Sequence, residues 1–171
     1  MKRHWGKGFT LVELAVTVTV LAVVLAIALP SFMRMRMAAN EEAVQEGVRA
    51  VVQACGHYRM QGTQGGAGEF PPDLQALTGA NPPYLDARFA GLGFGNAWHG
   101  YRWTYTPGPQ RQQAVGNLRF QFQDTYTLRA DPVRRGEDGQ RSFYADQTGV
   151  IRFNTRGPAG PNSTAVEQAE N

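Results

Sequence analysis

The chain has one cysteine, Cys55, three histidines, and no lysine beyond Lys7. A lone cysteine forbids an intramolecular disulfide, so packing and hydrogen bonds must hold the loops. After His4 only His57 and His99 remain, and His57 follows Cys55 by two with no second ligand pair. That is not zinc-site spacing, and no metal or cofactor is expected. Charged residues make up only 18%, and 17 Lys+Arg against 14 Asp+Glu gives +3. Lys2, Arg3 and Lys7 account for the whole excess, so the chain beyond them is formally neutral. The basic pI of about 9.3 is therefore no sign of nucleic-acid binding. No nucleophile–base pair or ligand cluster stands out, which disfavours an enzyme.

What the chain does have is a long apolar run, Phe9–Leu29, without a glycine and with one charge inside it, Glu13. At about 1.5 Å per residue its helix is roughly 31 Å long, enough to cross a bilayer core. A carboxylate at mid-bilayer costs at least about 2.5–3.5 kcal/mol, and less near an end. Glu13 therefore calls for a partner. A secretory signal peptide has a shorter apolar core and no acid inside it. A plain signal anchor explains the length but neither Gly8-Phe9 nor Glu13. The basic residues in front of the run orient the N-terminus to the cytoplasm and the rest outward.

Lys7-Gly8-Phe9-Thr10-Leu11-Val12-Glu13-Leu14, the short basic start Met1–Lys7 and Pro30 behind the run resemble type IV pilins and their relatives, the type II secretion pseudopilins. The resemblance implies that residues 1–8 are a leader, removed by a prepilin peptidase between Gly8 and Phe9, with N-methylation of Phe9. It implies that Glu13 pairs with the free amine of Phe9 on a neighbouring subunit, and that Pro30 breaks the helix. Residues 9–30 would be the membrane and assembly half of the N-terminal helix. Before assembly the chain would sit once through the bacterial inner membrane; afterwards it would belong to an extracellular or periplasmic filament. Partners implied are further copies of the chain, the peptidase, an assembly ATPase with its platform protein, and inner-membrane lipid.

Beyond Pro30 a helical pattern resumes, with Met33, Met37, Val44, Val48, Val51, Val52, Cys55 and Tyr58 on one face. Glu41, Glu42, Glu46, Arg49 and Arg59 fall largely on the other sides, and Glu46–Arg49 is a plausible surface pair. The expected end is Gln61-Gly62. A loop-rich connector over 62–99 includes a short helix between Pro71 and Gly79 and another turn at Leu85–Ala90. Strands are expected at Tyr101–Thr106, at Phe120–Leu128 with a break at Asp124, and at Ser142–Ala145 and Val150–Phe153 around a Gly149 turn. The segment 139–153 is also similar to the final hairpin of some pilin-like proteins. Residues 157–171 read as a flexible tail. The expected fold is α+β: a long N-terminal helix on an antiparallel sheet of about four strands, with a globular domain over 31–156.

Other candidate sites have bland readings. Asp131, Glu137, Asp138 and Asp146 could offer carboxylates to calcium, as in some pseudopilins, but lack calcium-loop spacing and read as solvated loop acids. Gly91-Leu92-Gly93-Phe94-Gly95 lacks the context of a phosphate loop. Arg134, Arg135 and Arg141 beside Phe143 and Tyr144 could touch DNA, but solvated loop arginines beside core aromatics are the better explanation. Trp103 is expected in the core, Trp98 either there or on an adhesive surface. The expected function is a structural subunit of a pilus-like filament, for adhesion, motility or DNA uptake. The alternatives are a secretion pseudopilin, although Trp98-His99-Gly100-Tyr101 only faintly matches the pseudopilin Trp-Gly-x-Pro-Tyr motif, and a membrane-anchored binding domain that never polymerises.

Overall fold

The computed structural model describes residues 9–61, 68–115 and 118–169. Its first element is the helix α1, Leu11–Gln61, 51 residues long. Contacts divide the chain into two units at the Arg36/Met37 boundary, which lies within α1.

In the first unit α1 has no buried side chain. Its polar groups turn back on the helix: Thr17 Oγ1 donates to Leu14 O at 2.8 Å and Thr19 Oγ1 to Ala15 O at 2.8 Å. Such back-bonding keeps hydroxyls satisfied in an apolar medium. The helix runs through Pro30 without interruption, so the expected break is not a feature of the single chain. Proline costs one backbone hydrogen bond and a clash a turn back, which the good helix formers around it tolerate.

In the second unit α1 buries Glu41, Val44, Gly47, Val48, Val51, Ala54 and Cys55. The apolar face thus starts later than its sequence pattern, since Met33 is 50% exposed. Glu41, expected on an outer side, lies on the buried face for a reason given below. The six-stranded sheet has the order β1-β2-β5-β6-β7-β8, and every pairing in it is antiparallel. β2 (Tyr101–Pro107) alternates buried and exposed residues, putting Tyr101, Trp103 and Tyr105 into the core. β5 (Tyr126–Pro132) does the same with Tyr126, Leu128 and Ala130, and β6 (Ser142–Asp146) is buried along its whole length. These residues and the α1 face form one hydrophobic cluster. Gly47 marks the closest approach: a Cβ there would lie 2.9 Å from the rings of both Trp98 and Trp103.

The sheet is larger than expected. Phe120–Leu128 is two strands, β4 (Leu118–Gln123) and β5, and β4 pairs with β3 (Gln110–Val115) in a separate two-stranded ribbon. The connector ends in β1 (Phe94–Trp98), so the glycine-rich segment 91–95 leads into an edge strand. Within the connector Asp73 caps α2 (Leu74–Thr78), accepting from Ala76 N at 2.8 Å, and a 3₁₀ turn covers Ala87–Phe89. The hairpin after β6 closes with Gly149 at φ +77° and returns as β7 (Arg152–Asn154). The expected flexible tail is corrected in part. β8 (Thr164–Ala165) pairs with β7, α3 (Val166–Ala169) follows, and Ala159, Ala165 and Val166 are buried. Arg135 helps fix this segment by donating to Thr155 O at 2.9 Å and Gly157 O at 3.1 Å.

Candidate functional site

The start of α1 is built as a reciprocal cap. Thr10 O accepts the first helical bond, from Leu14 N at 3.2 Å, which makes Thr10 the N-cap. The Thr10 hydroxyl accepts from Glu13 N at 3.2 Å. In return Glu13 Oε2 accepts from Thr10 N at 2.9 Å and from Thr10 Oγ1 at 2.8 Å. This is a capping box, satisfying two of the donors that a helix start leaves open. Sequence reading treated Glu13 as a charge without a local partner; the Thr-x-x-Glu spacing was the signal that it missed. Only one carboxylate oxygen is used. Oε1 has no hydrogen-bond partner among the described residues. Gly8 lies outside the described residues. Phe9, immediately before the cap, is 81% exposed.

From this cap the helix carries an uninterrupted apolar surface. Its most apolar 18-residue window has a mean hydropathy of 2.6 and no buried residue. Leu11, Val12 and Ile27 are 84%, 70% and 74% exposed. A soluble fold does not leave so large an apolar surface in water; a bilayer or other helices must cover it.

The remaining candidates are tied up in structure. Arg134 forms a fork with Asp138, Nη2 to Oδ1 at 2.9 Å and Nε to Oδ2 at 3.1 Å, and also meets Glu137 at 2.7 Å. The Asp138 hydrogen bonds, then its charge, push the Arg134 guanidinium pKa up. Arg135 binds Ser142 Oγ at 2.6 Å besides the C-terminal carbonyls, and Arg141 pairs with Glu41. Phe143 and Tyr144 are buried. Asp146 closes its own turn, accepting from Thr148 N at 2.9 Å. Among the described residues no three His, Cys, Asp or Glu side chains come together. Cys55 is fully buried, and burial pushes its thiol up to about 12, leaving it inert as a nucleophile. His57 is exposed in a cleft of about 440 Å³ between α1 and Tyr84–Phe89. Trp98 is half-buried against Phe89 and Trp103, at ring distances of 5.5 and 5.8 Å, so it belongs to the core margin.

Residues 7–29 match the family model described as the prokaryotic N-terminal methylation motif, the signature of type IV prepilins. The match begins at Lys7, covers the cap and the apolar run, and ends one residue before Pro30. Neither a curated protein nor a solved structure matches the chain. The motif and the exposed apolar helix support a type IV pilin-like or pseudopilin-like protein that is held in a membrane before assembly.

Proposed function

We propose that the chain is a structural subunit of a type IV pilus-like filament. A prepilin peptidase cuts between Gly8 and Phe9, the new amine of Phe9 is methylated, and the subunit polymerises through the first half of α1. The observation that carries this reading is the coincidence of the methylation motif over 7–29 with the apolar stretch of α1 before Pro30, whose only acid, Glu13, sits in the first turn.

The chemistry follows from helix electrostatics. Cleavage creates a cation at the N-terminus of α1, where the helix dipole is already positive. Glu13 is the acid of that first turn, and its free Oε1 is available to the amine of a second copy while Oε2 stays on the cap. Removal of both charges from water is costly, so their pairing fixes the axial register rather than supplying net cohesion. Cohesion comes from the apolar surface of α1 packing against other copies. An assembly ATPase and platform protein drive the step from membrane to filament; the subunit hydrolyses nothing. Pro30, intact in the single chain, is where the helix opens if packing demands it.

Mass spectrometry of the native N-terminus, followed by microscopy for fibres, tests the reading. The expected result is a chain that starts at methylated Phe9. Gly8→Leu should keep the leader and block assembly; Glu13→Val should be cut but polymerise poorly. A natural protein that retains Met1–Gly8 sinks the proposal.

A further inference from the structure

The filament reading fixes one number, the axial offset between neighbours, and the charges of α1 respond to it. If the Phe9 amine of one copy meets Glu13 of the next, residue i of the first lies level with residue i+4 of the second. That is an offset of about 6 Å along the helix. The copies are identical, so the same translation holds at every level, whatever happens to the helix at Pro30. Arg36 of the first copy then stands level with Asn40 of the second, one half-turn below its Glu42. Both side chains lean the same way, so the axial gap stays at two residues, about 3 Å, which the long arginine side chain spans.

Both groups are available. Arg36 and Glu42 are exposed, and neither has a hydrogen bond or ion pair with another described residue. The neighbouring charges are engaged: Arg34 donates to Pro30 O at 3.4 Å, Glu46 pairs with Arg49 at 3.1 Å, and Glu41 is held by Arg141 at 2.6 Å. Glu42 lies opposite the Val44–Val48–Val51 face that packs on the sheet, so it points away from its own globular unit. Ala38 and Ala39, small and exposed between the two charges, let another helix approach closely.

Resting on the proposed filament, we infer that Arg36 of each subunit pairs with Glu42 of the neighbour that receives its N-terminal amine, a second register lock above the membrane half. An exposed pair is weak alone, but a polymer repeats it at every contact, and a slip to zero offset sets Arg36 level with the neighbour's own Arg36.

Charge swapping in the full-length chain, expressed with its own secretion machinery, tests the pairing. Arg36→Glu and Glu42→Arg should each lower filament number by about fivefold, with cleavage at Phe9 unchanged, and the double swap should restore it. As a second measurement, Arg36→Cys with Glu42→Cys, in a Cys55→Ala background, should give a ladder of covalent multimers with a short-armed bismaleimide. Either cysteine alone should give none. Normal filament numbers from both single swaps, or no ladder from intact filaments, overturn the pairing. Loss of processed Arg36→Glu protein from the membrane, with Glu42→Arg normal, means that Arg36 serves lipid headgroups instead and also overturns it. A natural protein that keeps its leader overturns the filament reading itself, a distinct failure.

Discussion

Replacing Glu41 by alanine is the sharpest test of how the globular unit is held together. Glu41 is 9% exposed, yet it is a carboxylate. Its Oε1 accepts from Gln140 N at 2.6 Å and Arg141 N at 3.1 Å, and its Oε2 from Arg141 Nε at 2.6 Å. One turn of α1 thereby holds a loop a hundred residues away, with Asn40 Nδ2 donating to Asp138 O at 2.9 Å beside it. Alanine would leave two backbone N–H groups and a guanidinium without their acceptor. Breaking a buried ion pair by removing one partner costs about 3–5 kcal/mol. The Arg141 side chain is 33% exposed, so water recovers part of that, and a loss of about 2–3 kcal/mol is expected. Glutamine keeps one acceptor but turns an amide towards the remaining donors, and should cost about 1–2 kcal/mol. Urea unfolding of the full chain in detergent measures both, with Arg141→Gln and the double variant completing a cycle. A Glu41→Ala loss below about 0.5 kcal/mol, the range of ordinary surface changes, would refute the clamp.

Gly47→Ala should destabilise by about 1–3 kcal/mol despite alanine's better helix propensity, because its Cβ would enter the rings of Trp98 and Trp103; unchanged stability and tryptophan fluorescence would contradict this packing. Alkaline pH should unfold the protein. The buried Cys55 thiol ionises at about 12 in the fold but near 9.0 when exposed, so the unfolded chain loses its proton first. The Cys55 contribution is then full below about pH 9 and is lost at roughly 1.4 kcal/mol per pH unit up to about 12, with the buried tyrosines adding to the fall above about pH 10, and Cys55→Ala should flatten the slope by one proton in a pH series of thermal melts. Thr10→Val removes the cap and keeps the charge, whereas Glu13→Gln keeps an acceptor for the cap and removes the charge. Amide exchange at Leu11–Glu13 should quicken by about fivefold in the first alone, and filament yield should fall mainly in the second.

The sequence was legible where one local rule decided the outcome. The apolar run and the Tyr101–Tyr105 alternation each follow from a single periodicity. It was illegible where distant residues decide. Glu41 reads as an outer-face acid by helical spacing; only the arrival of Gln140 and Arg141 makes a buried carboxylate tolerable there. The strands β3 and β8 carry no strong alternation and exist because a partner strand satisfies their backbone. Arg135 looks like a solvated loop arginine, but four acceptors, Gln140 O among them, make it a fastener for the C-terminal segment. At the N-terminus the overlooked cap had a different cause. The motif directed attention to an intersubunit partner for Glu13, and the same spacing also encodes a cap within the chain.

If the proposed filament holds, that double use explains how an acid waits in a membrane for a partner. A glutamate without local hydrogen bonds near one bilayer face would bear its desolvation alone until assembly. In the cap, Oε2 takes the Thr10 N–H that the helix start leaves open, together with the Thr10 hydroxyl, so the acid and the helix end satisfy each other. The negative charge also opposes the positive end of the helix dipole, and a cationic Phe9 amine would otherwise aggravate that end. The waiting subunit therefore needs no second copy to be stable. In the proposed filament a neighbour's amine would take Oε1 without dismantling the cap, so assembly would add a contact rather than exchange one. A residue placed one turn deeper would lose the cap, and one placed on the N-cap itself would lose the reach; the third helical position allows both.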